Sequence, residues 1–162
     1  MPSIRTIVVT GISGTDTTQA IGLLGGSSYL AKLRQFLPAM LDLSVCELDD
    51  GERVVLFGVP PTACAEVVRA AKPMGLIVLV DGSRPHPVRD LLVCLDACGD
   101  ARALPAISVG VYGEADKSLT RLGSLQSALI SRHLAGPVLL VDLQRRGDLY
   151  MLIDSVLVQA CP

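Results

Sequence analysis

Aromatic side chains are scarce in this sequence, which has no tryptophan and only two phenylalanines and three tyrosines among 162 residues. Tyr112, expected at the end of a strand, is the one aromatic that the loops offer for stacking on a base. Lysine is scarce too, with Lys32, Lys72 and Lys117 alone. Neither sign of charge dominates: the formal net charge is −2 and the sequence pI is near 5.6, which leaves no basic footprint for nucleic acid. No apolar stretch approaches the roughly 20 residues that a bilayer-spanning helix needs. The longest, such as residues 76–80, fall far short, so no membrane insertion is expected. The opening Met-Pro-Ser-Ile-Arg carries no apolar signal-peptide core, and a soluble cytoplasmic protein is expected. Five cysteines (Cys46, Cys64, Cys94, Cys98, Cys161) form no C-x-x-C pair, and His86 and His133 lie far apart. No metal site is expected from them. The cysteines read as small buried apolar residues of a reducing compartment.

What the chain has is apolar substance in regular portions. Half of its residues are hydrophobic, and 162 residues suffice for one domain with a real core. Strand-like and helix-like segments alternate along residues 1–162 without a repeat or a linker. Residues 4–10 are β-branched and end at Gly11, and residues 75–80 form a continuous apolar run before Asp81, the mark of a buried parallel strand. Residues 41–48 and 52–57 alternate around Asp49-Asp50-Gly51, a hairpin pattern. Further strands are expected over 106–111 and 137–141. Helices are expected over 17–24, 28–36, 62–71, 88–98, 119–133 and 148–159. This pattern predicts a three-layer α/β/α fold: a six-stranded, mostly parallel sheet with one antiparallel strand. Residues 4–10 should lie centrally beside 75–80.

In such a sheet, ligands sit at the carboxyl ends of the strands. The first such loop reads Gly11-Ile12-Ser13-Gly14-Thr15-Asp16-Thr17-Thr18. A phosphate-binding loop needs G-x-x-x-x-G-K-[ST], whose backbone N–H groups and lysine cradle phosphate oxygens. Gly11, Gly14 and Thr18 suit that layout, but Asp16 stands at the second glycine and Thr17 at the lysine. A carboxylate among phosphates would cost on the order of several kcal/mol. An ordinary structural role, Asp16 as the N-cap of the first helix, points the same way. The hydroxyls of Ser13, Thr15, Thr17 and Thr18 have no histidine nearby to activate them and read as loop and cap groups.

With these residues in place, the whole chain resembles the bacterial Ras-like small GTPases that work with roadblock-type proteins. That family's second signature commonly reads Leu-Phe-Gly-Thr-Pro-Gly-Gln, and the matching segment here is Leu56-Phe57-Gly58-Val59-Pro60-Pro61-Thr62. Gly113-Glu114-Ala115-Asp116 falls where the family's guanine-reading Asn-Lys-x-Asp belongs, and Val141-Asp142-Leu143 where a last base contact lies. The resemblance implies the P-loop NTPase, small-GTPase-like fold, with GTP and magnesium as cofactors of a working member.

Each motif departs from that requirement. Pro61 replaces the glycine whose N–H faces the γ-phosphate, and proline has no N–H. Thr62 is too short for the water-orienting glutamine. Gly113 lacks an amide, Glu114 reverses the charge of lysine, and only Asp116 remains to read guanine. No switch threonine has a counterpart before Leu41. The expectation is a degenerate member, a pseudo-GTPase: no catalytic residue, no cofactor, no enzymatic turnover, and a signalling or scaffold role through protein contact. The alternative is an active or weakly nucleotide-binding small GTPase regulated by a roadblock-type partner. A receiver-like domain fits less well, because it requires an acidic pair after the first strand. A mean hydropathy of +0.50 is high for a soluble monomer and calls for an interface. By resemblance, the partner is a roadblock-type protein or a second copy of the chain.

Overall fold

In the computed structural model, residues 4–24 and 42–161 are described. They form β1 (Arg5–Gly11), α1 (Gly14–Leu23), β2 (Asp42–Glu47), β3 (Arg53–Val59), α2 (Pro61–Ala71) and β4 (Gly75–Asp81). Then follow α3 (Pro87–Ala97), a 3-10 turn (Ala101–Ala103), β5 (Ile107–Tyr112), α4 (Ala115–Ser131), β6 (Val138–Leu140) and α5 (Arg146–Ala160). The break at Gly25-Gly26, the helix expected over 28–36, Lys32 and Leu41 lie outside the described residues.

The six strands make one sheet in the order β2-β3-β1-β4-β5-β6. Only β2 and β3 pair antiparallel, and the other neighbours run parallel. The expected architecture is therefore present, with β1 central beside β4. The hairpin follows from its turn. Gly51 takes a φ of +80°, where a side chain would be strained, and the Asp50 carboxylate accepts from the Glu52 N–H at 3.0 Å. That turn sets the register Glu47↔Arg53 through Asp42↔Gly58.

Alternation along the central strands divides the core in two. On β1 and β4, Val8, Leu76, Val78 and Val80 face a cluster closed by α2, α3 and α4. Ile7, Val9, Ile77 and Leu79 face a second cluster closed by α1 and α5. Both faces of β4 are thus dry, which is why its sequence is an unbroken apolar run. Helix α5 comes close to the sheet at two glycines. A Cβ on Gly75 would come within 2.3 Å of Val156, and one on Gly110 within 2.7 Å of Leu152.

The cysteines depart from expectation. Cys64 and Cys98 are joined in a disulfide, with Cα atoms 4.8 Å apart, while Cys46 and Cys94 are buried free thiols and Cys161 is exposed. The pair is separated by 34 positions and meets only because α2 and α3 pack on the same sheet face. No local spacing announces such a pair.

Candidate functional site

The helix that follows β1 covers one sheet face, and those that follow its neighbours β3 and β4 cover the other. The carboxyl end of β1 is therefore the topological switch point, where a crevice opens in this class of sheet. The residues of the first loop and of the second signature come together there. Gly14, Thr17, Thr18, Asp42, Gly58, Val59 and Pro60 line a cavity of about 150 Å³.

On the β1 side, the segment expected as a loop is helix. Helix α1 begins at Gly14, three residues earlier than its apolar pattern predicts. Ser13 is the N-cap, with φ −88° and ψ 105°, and its hydroxyl accepts from the Asp16 N–H at 3.4 Å. The Ser13 carbonyl accepts from both the N–H and the hydroxyl of Thr17, each at 3.2 Å. In a phosphate-binding loop the N–H groups of this segment point at the anion. Here those of Asp16 and Thr17 serve the helix itself. The expected capping role of Asp16 is thereby corrected: serine caps as well as aspartate does, and the chain has already turned at Ser13.

Asp16 sits instead in the first turn and turns its carboxylate to Tyr112 at the end of β5, accepting from the hydroxyl at 2.5 Å. Burial first, and then the Asp16 carboxylate, push the Tyr112 hydroxyl far above the ordinary tyrosine range, so it stays protonated and donating. Thr17, at the lysine position, is only 3% exposed. Thr18, at the magnesium-ligand position, donates to the Asp42 carboxylate at 2.6 Å. A carboxylate at the start of β2 therefore occupies the hydroxyl that a metal would need. Tyr112 and Asp42 are the two site residues that sequence reasoning did not supply. The only signal for Tyr112 was its being the sole aromatic in the loops, and Asp42 gave none.

On the β3 side, Pro60 alone connects the strand to α2, and Pro61 is the first helical residue. Both lack an N–H, and their fixed φ makes the connection stiff. Gly58 pairs with Asp42 across the hairpin, where a Cβ would approach Ile21 to 2.9 Å. Thr62 is exposed in the first turn of α2.

Gly113, Glu114 and Asp116 are not among the residues that line this cavity. All three are exposed, and Gly113 and Glu114 lie against the loop after β4. Gly113 has φ +103°, and a Cβ there would fall 2.4 Å from Asp81 Oδ1 and 2.5 Å from Ser83 Oγ. The Glu114 N–H donates to Ser83 Oγ at 2.6 Å, and Asp81 accepts from the Ser83 N–H at 2.9 Å. The Glu114 carboxylate pairs with Lys117 at 3.1 Å on the surface. Asp116 is exposed in the first turn of α4. Asp142 is taken up locally: its carboxylate accepts from the Gln144 N–H, and its own N–H donates to Asp148.

These groups do not fit a magnesium–triphosphate. The cavity of about 150 Å³ is well below the ~300–1,000 Å³ of small-molecule sites. The Asp16 and Thr17 N–H groups are spent on Ser13, and the Asp42 carboxylate takes the Thr18 hydroxyl. Among the described residues, no three His, Cys, Asp or Glu side chains are grouped to hold a metal ion. Compared with known proteins, the chain matches no family model and no curated protein.

Proposed function

We propose that the chain is a small-GTPase-like signalling or scaffold domain that has given up nucleotide and works through protein contact, in the bacterial cytoplasm. The observation that carries this reading is the wound first turn of α1. Ser13, Asp16 and Thr17 spend their donors and acceptors on one another and on Tyr112, in place of a phosphate cradle. The absence of a lysine and of an N–H at Pro60 and Pro61 supports the same reading. No step of hydrolysis is assigned to any residue.

Protein contact is supported by the exposed apolar surface. Ile4 before β1, Val93 on α3, Leu119 and Ile130 on α4, Leu140 on β6, and Met151 and Val158 on α5 are all exposed; α4 packs beside β6 on one sheet face, and α5 lies over β4 and β5 on the other. Exposed apolar side chains of this number leave surface that a protein partner could cover. The partner is a roadblock-type protein or a second copy of the chain.

The test is calorimetry with GTP and ATP, with and without magnesium, on protein stripped of nucleotide. Dissociation constants of about millimolar or weaker are expected, equivalent to no more than ~4 kcal/mol of binding. A micromolar constant for either nucleotide overturns the reading in favour of a working small GTPase.

A further inference from the structure

We propose that the Cys64–Cys98 disulfide is a reversible redox staple that holds the start of α2 against the end of α3, and so controls how readily residues 58–66 open. This does not rest on the function proposed above, since the same staple would act in a nucleotide-binding domain.

Three observations carry it. The first is placement. Cys64 is the fourth residue of α2, just beyond the Pro60-Pro61 connection, and Cys98 is the C-cap of α3. The bond therefore ties the first turn of α2, four residues beyond the cavity-lining Pro60, to the end of its neighbour α3 in the same core cluster.

The second is that the start of α2 is weakly held by other means. Pro60 offers no side-chain cap, and the first turn contains no acidic residue to meet the helix dipole. Helix α1, by contrast, has Ser13 as its cap and Asp16 in its first turn. Without the covalent bond, the N-terminal turn of α2 keeps its apolar contacts, the stiffness of its two prolines and a backbone hydrogen bond from the Ala63 N–H to the Pro60 carbonyl at 3.0 Å, but no side-chain cap.

The third is access. The sulfur-bearing residues are 0% and 3% exposed, so bulk reductant does not reach them in the closed state. The chain on both sides of Cys98, namely Leu95, Asp96 and Gly99 to Arg102, nevertheless lines an open cavity of about 510 Å³. Cys98 itself does not line this cavity, so a small dithiol held there reaches the sulfur only when the C-terminal end of α3 opens.

The chemistry is thiol–disulfide exchange. A thiolate of the dithiol attacks Cys98 Sγ, the Cys64–Cys98 bond breaks, and Cys64 leaves as a thiolate that takes up a proton. The second thiol of the reductant then displaces Cys98. The products are two protein thiols and the oxidised, cyclic disulfide of the reductant. Formation is the reverse: two protein thiols give up two electrons and two protons to a small-molecule disulfide, which leaves as two thiols. Cys94, one turn before Cys98 in the same cluster, stays outside this exchange. Burial and then Asp90 push its thiol up to about 11, and a protonated thiol is not a nucleophile.

The experiment uses the full chain, equilibrated in parallel with glutathione disulfide and with dithiothreitol, then quenched in acid and labelled with a maleimide under denaturing conditions. Three labels are expected in the oxidised sample (Cys46, Cys94, Cys161) and five in the reduced one. Amide hydrogen exchange on the same two samples should be about tenfold or more faster over residues 58–66 after reduction, with β4 and β5 unchanged. A Cys64→Ser/Cys98→Ser variant should exchange like the reduced chain in both buffers. If that variant does not fold, the reduced wild-type chain alone decides. The proposal is overturned if five labels persist with glutathione disulfide, because the bond then does not form. It is equally overturned if native dithiothreitol never opens the bond, which would make it a permanent brace. Reduction without faster exchange over 58–66 overturns it as well.

Discussion

On the β1–β3 side of the switch point, local backbone chemistry fills the crevice: a helix cap at Ser13, an early helical turn, and two prolines after the strand. On the β4–β5 side, the filling is tertiary: Gly113 lies against Asp81 and Ser83, and Ser83 in turn receives the Glu114 N–H. The first kind of closure is written in a few consecutive residues and is individually cheap to alter. The second depends on the β4 and β5 loops touching and leaves no room for a Cβ on Gly113 unless Asp81 and Ser83 shift. The β1–β3 end is therefore set by a short motif, while the β4–β5 end is set by contacts between two loops.

The largest expected effect tests the packed side. Gly113→Ala should lower unfolding stability by about 3 kcal/mol, from the strained positive φ and the contacts its Cβ would make. Urea denaturation followed by circular dichroism measures this. A loss under about 1 kcal/mol would mean that the β4 and β5 loops yield easily, and the contrast between the sides would vanish.

The Asp16–Tyr112 bond joins the two sides, and it should come next. Tyr112→Phe is expected to cost about 1–2 kcal/mol, because it strips a charged acceptor of its donor. Its pH dependence is the sharper check. The folded chain holds the Tyr112 proton more tightly than the unfolded chain does. The contribution is therefore complete below the unfolded value of about 10 and is lost as pH rises above it. Wild type should lose stability between about pH 10 and 11 faster than Tyr112→Phe does. Parallel curves for the two proteins would remove Tyr112 from the bridge.

Smaller effects belong to the locally closed side. Ser13→Ala should cost about 1 kcal/mol by thermal unfolding, the usual worth of an N-cap. Thr18→Ala removes an exposed hydrogen bond to Asp42 and should cost about 0.5 kcal/mol or less. If Thr18→Ala proves more damaging than Gly113→Ala, then the cavity at Thr18, Asp42 and Pro60 is the rigid part of the site, and the comparison is inverted.

The sheet was legible because its signals are short-range and physical. The unbroken run of β4 announces two dry faces, and Asp49-Asp50-Gly51 announces the hairpin. Helix starts were less legible. Gly11 and Gly14 made residues 11–16 read as a loop, although Ser13 with an acidic residue three positions on is a recognised start signal. Glu114 and Ala115 likewise begin α4 four residues before its apolar periodicity takes over at Leu119. The contacts that decide the site were illegible in principle. Asp16 and Tyr112 are 96 positions apart, and Cys64 and Cys98 are 34 apart. Their meeting depends on strand order and helix placement, which no local spacing encodes.

The close approach of α5 to Gly75 and Gly110 reaches beyond stability. In a saturation mutagenesis scored by abundance in cells, these two positions should tolerate almost no replacement, although neither bears a reactive group or lines the switch-point cavity. A map of intolerance alone would then highlight the underside of α5 as brightly as an active centre. In this chain, intolerance there would reflect the clearance between a helix and a sheet.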